Sequence, residues 1–92
     1  MVTVEEVIEG INGLEQIADG YMGYDDMVGG LVSSSIKSIR DAKKVLEDPT
    51  KGNINKALKL IQEVKDGFEP YGGYAGDVMD KVNSVIEKIQ AL

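Results

Sequence analysis

Residues 71–92 read YGGYAGDVMDKVNSVIEKIQAL. Within them Tyr71, Ala75, Val78, Val82, Val85, Ile89 and Leu92 are separated by alternating steps of four and three. That spacing is the seam of an amphipathic helix packed on other helices. Pro70 is tolerated in a first helical turn, so the helix starts there or, with Tyr71 to Gly76 as a loop, at Asp77.

Displacing the chain by fifty residues lays this stretch on residues 21–42 without a gap. From Val4 to Ala42 against Ile54 to Leu92, nine of thirty-nine pairs are identical, where about two or three arise by chance at typical residue frequencies. The shared string is Tyr-x-Gly-Tyr, at Tyr21, Gly23 and Tyr24 and again at Tyr71, Gly73 and Tyr74. The apolar phase matches as well, for example Ile8 with Leu58 and Leu14 with Val64. This is the signature of a duplicated helix–turn–helix unit, and an accidental shared phase is the alternative.

The remaining helices follow the same logic. Val4, Val7, Ile8, Ile11, Leu14, Ala18 and Tyr21 form one face, Thr3 and Glu6 have the spacing of a capping box, and Gly20 is a stop. Asp25 or Asp26 caps the second helix, whose stripe is Val28, Val32, Ser35, Ile36, Ile39, Ala42 and Leu46. Asn53 caps the third, which carries Ile54, Ala57, Leu58, Ile61, Val64 and Phe68. A single short hairpin cannot bury its own apolar faces, but two can do so by packing together. The expected fold is therefore all-α: a four-helix up-down-up-down bundle of two tandem hairpin copies, residues 4–42 and 54–92, joined by a linker at about 48–53 within one domain, 1–92. Stacked solenoid units are the second architecture, disfavoured because solenoids need three or more repeats.

Composition restricts function. The net charge is −6, with ten acids and four bases in residues 1–50 and six of each in residues 51–92. Such a chain is repelled by phosphate backbones, so no nucleic-acid partner is expected. No apolar run approaches the ~20 residues of a membrane span, and no leader pattern is visible, so the expected compartment is the cytoplasm. Without histidine or cysteine the usual nucleophile–base pairs and zinc sites cannot be assembled. Asp25, Asp26, Asp77 and Asp80 lack the spacing of a calcium loop, and Gly29-Gly30 and Gly72-Gly73 lack the rest of a phosphate loop. No catalytic residue, metal or cofactor is expected.

Two features remain. Glu6, Glu9 and Glu15 align with Lys56, Lys59 and Lys65, either as a reversed-charge contact between the copies, within the chain or across a homodimer, or as unrelated solvated faces. Glycines inside helical patterns, including Gly10, Gly13, Gly29 and Gly30, each cost about 1 kcal/mol relative to alanine. Close helix approach, local mobility or a ligand pressed against the backbone, or completion of a marginal bundle by a partner would account for them.

In an up-down bundle both Tyr-x-Gly-Tyr turns lie at one end. The candidate partner-binding residues are Tyr21, Gly23, Tyr24, Tyr71, Gly73 and Tyr74, because tyrosine joins apolar area to a polar tip and glycine lets a neighbouring chain approach. Tyr21 and Tyr71 equally continue the apolar stripes and would close the core. The functional expectation is a protein–protein interaction or assembly module acting on a protein partner or on itself. A small-molecule or lipid carrier using the bundle interior is second and a minor enzyme third.

Overall fold

The computed structural model describes residues 1–92, and it is all-α. Helix α1 spans Val4–Asp19, α2 Leu31–Val45, α3 Lys51–Phe68 and α4 Gly76–Gln90, with single 3₁₀ turns at Met22–Tyr24 and Glu69–Tyr71 and no strand. Helix α1 packs on α2 and α4, and α3 packs on the same two. The molecule measures 37 × 19 × 18 Å. Its cross-section is thus about two helix diameters in each direction, with α1 and α3 on one diagonal and α2 and α4 on the other.

The helices begin where side-chain oxygens satisfy free backbone N–H groups. Thr3 Oγ1 accepts from Glu6 N at 3.2 Å, the cap expected from the sequence. Helix α3 starts earlier than the apolar pattern implies. Thr50 is its cap, accepting from Asn53 N at 3.2 Å, while the Asn53 side chain donates to the Asp48 carbonyl at 2.7 Å. Asn53 therefore braces the turn before α3 instead of capping it. Gly20 ends α1 in a right-handed conformation, so no left-handed cap is used there.

The first hairpin departs most from its expected course. Val28, Gly29 and Gly30 lie outside α2, and the two glycines have φ of +64° and +80°. That left-handed backbone breaks the helix at low cost only for glycine. Asp25 still caps α2, but from across the break: its Oδ1 accepts from Val32 N at 3.0 Å and Ser33 N at 3.3 Å, and Oδ2 accepts from the Ser33 hydroxyl. In the fifty-residue register Gly76, which opens α4, aligns with Asp26, so α2 starts five residues later than α4.

Nineteen apolar residues form the buried cluster, with fully buried Ile11, Leu14, Ile39, Ile61, Val78 and Val82 drawn from all four helices. Ser35 is the buried polar side chain, and no buried side-chain polar atom lacks a hydrogen-bond partner. The reversed-charge pairing is not made within the chain, because α1 and α3 are diagonal. Glu15 pairs instead with Arg40 at 3.1 Å and Lys43 at 3.7 Å, both on α2, and these are the two ion pairs of the molecule. Glu6 and Glu9 line a shallow polar cleft with Lys81 and Lys88 of α4.

Close approach explains some glycines and not others. A Cβ on Gly67 would meet Leu31 Cδ1 at 2.6 Å, whereas one on Gly13 would meet only the end of the Lys81 side chain, at 2.9 Å. Lys81 can swing outward. Gly13→Ala is therefore expected to raise stability by about 1 kcal/mol through helix propensity, and Gly30→Ala to lower it by about 1–2 kcal/mol through left-handed strain. Urea denaturation of the two variants checks this, and a loss on Gly13→Ala or a gain on Gly30→Ala would contradict the assignment.

Candidate functional site

The connections α1–α2 and α3–α4 meet. Each Tyr-x-Gly-Tyr string is closed by the same backbone bond, Tyr24 N to Tyr21 O and Tyr74 N to Tyr71 O, both 2.9 Å. The Tyr21 hydroxyl donates to Asp77 Oδ1 at 2.6 Å and lies 3.3 Å from the Tyr74 carbonyl oxygen. One side chain thus ties the end of the first hairpin to the start of α4. Asp77 Oδ1 also accepts from Val78 N at 2.9 Å.

This tie shifts the titration of Tyr21. The hydrogen bond donated to Asp77 holds the phenol above its ordinary pKa, with burial and the negative charge of Asp77 acting in the same direction and Tyr24 adding least. Asp25 shifts the other way. The hydrogen bond from the Ser33 hydroxyl holds its carboxyl below the ordinary carboxylate value; burial acts second and in the opposite direction, and the Ser33 and Val32 amides add smaller lowering effects.

Between the two connections lies a cavity of about 600 Å³ that is partly open to solvent. Its ten lining residues are all apolar or aromatic: Tyr21, Tyr24, Met27, Val28, Leu31, Val32, Phe68, Tyr71, Tyr74 and Ala75. Val32, Phe68 and Ala75 are buried at its floor. At its rim Tyr24 is 56% exposed, Met27 81% and Tyr74 87%. Tyr21 and Tyr24 pack against each other with ring centroids 6.1 Å apart.

The fold therefore brings the four candidate tyrosines into one place and gives them different tasks. Tyr21 is half-buried and joins the two connections. Tyr71 sits at the border of exposure, at 37%, and Tyr24 and Tyr74 stand in solvent. Gly23 and Gly73 are exposed, and a Cβ at either would meet nothing within 4 Å. Neither glycine is required by packing inside the chain.

Sequence reasoning missed Met27 and Leu31, which fall off the apolar stripes, and placed Val28, Val32, Phe68 and Ala75 only in the core. The one local signal was the pair Gly29-Gly30 beside Met27 and Leu31, marking the point where the helix could not continue. Asp25 and Asp77, considered above for a hard cation, are engaged by Ser33 and Tyr21, and no three carboxylates converge. No helix is long and apolar enough to cross a membrane.

The hydrogen bond of Tyr21 carries a pH signature. Its folded pKa lies above the ordinary value of about 10, so its contribution is complete below that value and is lost as pH rises through the folded pKa. An ultraviolet absorbance titration should show a tyrosine step above the ordinary value, and Tyr21→Phe should remove that step. A titration that Tyr21→Phe leaves without loss of a late step would contradict the bond. Comparison of the chain with protein-family models, curated proteins and solved structures finds no match in any of the three.

Proposed function

We propose that the chain is a non-catalytic protein-interaction module that binds through the end carrying its two tyrosine turns. The observation that carries this reading is the placement of exposed apolar surface. Seven large apolar side chains are exposed. Two are the terminal residues Met1 and Leu92, and the other five are Met22, Tyr24, Met27, Tyr71 and Tyr74, all in the two connections. A contiguous exposed apolar patch on a small fold marks a surface that is covered by something else. Tyrosine and methionine are enriched in such surfaces, tyrosine because a stiff ring orders at low entropic cost and methionine because it adapts. The open space around Gly23 and Gly73 leaves backbone accessible to a neighbour.

The same reading takes the two hairpins, 4–42 and 54–92, as tandem copies in an up-down-up-down bundle within one domain, working in the cytoplasm. The fifty-residue register supports the duplication. The packing of α1 and α3 each on α2 and α4, with short connections, supports the topology. Duplication accounts for the doubled turn: each copy brings one Tyr-x-Gly-Tyr string, and the pair frames one cavity. The cavity also favours a second reading, a small apolar ligand, since about 600 Å³ falls within the range of small-molecule sites. That site is at the bundle end and not in its packed interior.

Affinity capture from host lysate, comparing wild type with Tyr24→Ala/Tyr74→Ala, tests the reading. The double variant should keep its helical circular dichroism and lose at least about 1 kcal/mol of binding to the captured protein, the cost of truncating interface anchors. Equal capture by both, or a wild-type chain that stays monomeric and captures nothing, would contradict it.

A further inference from the structure

The charge around the cavity identifies the kind of occupant. Between Ile17 and Ser34 and between Asp66 and Asp80, the chain holds seven carboxylates and no lysine or arginine. The other nine acids are outnumbered by the ten bases. The net charge of the protein therefore resides at the tyrosine end. Two of the seven, Asp25 and Asp77, are spent within the fold on Ser33 and Tyr21. The other five, Asp19, Asp26, Asp66, Glu69 and Asp80, are exposed, take part in no ion pair and accept no hydrogen bond from the chain. Self-repulsion among exposed like charges is destabilising, and although Lys65 and Lys81 adjoin Asp66 and Asp80, no ion pair within the molecule neutralises any of the five.

Resting on the interaction reading above, we propose that this groove receives the apolar face of a basic amphipathic helix from a partner protein, whose lysines and arginines meet the surrounding carboxylates. Three features select that occupant. The lining offers apolar and aromatic surface without a charged residue, so what enters it is an apolar face. The fold has no strand and hence no sheet edge for an extended peptide to join. An incoming backbone must already satisfy its own hydrogen bonds, as a helix does. The rim tyrosines Tyr24 and Tyr74 are exposed, and exposed aromatic rings at the border of the groove attract cationic side chains.

Other occupants fit less well. A second copy docked end to end would bring the same seven carboxylates against these, a repulsive arrangement. A small organic cation would fill the cavity without covering Met22, which is exposed and does not line it.

The probe is a helical peptide of about five turns with leucines on one face and lysines on the other. Its controls are the same peptide with glutamate for lysine and a scrambled peptide of identical composition. Binding to the full-length chain is measured by calorimetry at low and physiological salt. The lysine peptide should bind with a Kd at least about tenfold lower than either control, and weaken with salt. Asp19→Asn/Asp26→Asn/Asp66→Asn/Glu69→Gln/Asp80→Asn should weaken it about tenfold, and Tyr24→Ser/Met27→Ser/Tyr74→Ser should abolish it while the helical circular dichroism persists.

Tighter binding of the glutamate peptide overturns the charge assignment and leaves the interaction reading standing. Equal binding of the scrambled peptide, or binding that survives the serine variant, reduces the effect to general charge attraction and overturns the groove. Tetraphenylphosphonium binding as tightly as the peptide, or a dimer abolished by the serine variant, names a small cation or a second copy as the occupant and overturns the helix. Failure of all three peptides overturns this proposal, while the capture experiment decides the broader reading separately.

Discussion

Burial of four apolar stripes in one shared core is the constraint on which the rest of the molecule depends. The chain has no cysteine, its two ion pairs are exposed and share one glutamate, and exposed pairs contribute little. Helices of fifteen to eighteen residues are marginal in isolation. Ile11 and Leu14 of α1, Ile39 of α2, Ile61 and Val64 of α3 and Val78, Val82 and Ile89 of α4 have to be removed from water together. No helix provides a complete apolar surface for another, so each depends on two neighbours, and the connections are placed by the requirement that all four stripes face inward.

That requirement is met before the tyrosine end is reached. Phe68, Ala75 and Val32 close the core there, and the Tyr21–Asp77 hydrogen bond holds the two connections side by side. What projects beyond is apolar surface the fold does not use: Met22, Tyr24, Met27, Tyr71 and Tyr74. The break at Gly29-Gly30 contributes to this directly. By delaying the start of α2 to Leu31 it leaves Met27 in solvent and Val28 against the cavity, where a continuous helix would have carried its stripe onward. The groove thus depends on the break that separates the first 3₁₀ turn from α2.

The fold class was legible because periodicity of three and four is local and survives at every position of the core. The N-terminus of α1 was legible because Thr3 and Glu6 are only three residues apart. Where the sequence misled, the cause was non-local or subtle. Asn53 looked like a cap because it precedes the first apolar residue of its stripe, but helices open with polar turns, and Thr50, beside Pro49, had the same chemistry one turn earlier. Val28, Gly29 and Gly30 were absorbed into a helical pattern because propensity alone tolerates glycine at a modest cost, and nothing local shows that Asp25 can cap across them. The tyrosines were visible as a repeated string. The cavity was not, because Phe68 and Val32 lie thirty-six positions apart in the chain and their convergence is a property of packing. The charge relation between Glu6, Glu9 and Glu15 and the aligned lysines on α3 is not made within the chain for the same reason: alignment in sequence says nothing about which helices share a side.

The central claim is that the core is complete without the rim of the tyrosine end, whose side chains stand outside it. Equilibrium urea unfolding of Tyr24→Ser/Met27→Ser/Tyr74→Ser tests it most directly. Exposed side chains outside the core change stability by about 0.5 kcal/mol or less each, so the account predicts a midpoint and slope close to wild type. A loss of about 3 kcal/mol or more, the scale of truncating a buried aromatic residue, would show that these side chains belong to the core and contradict it.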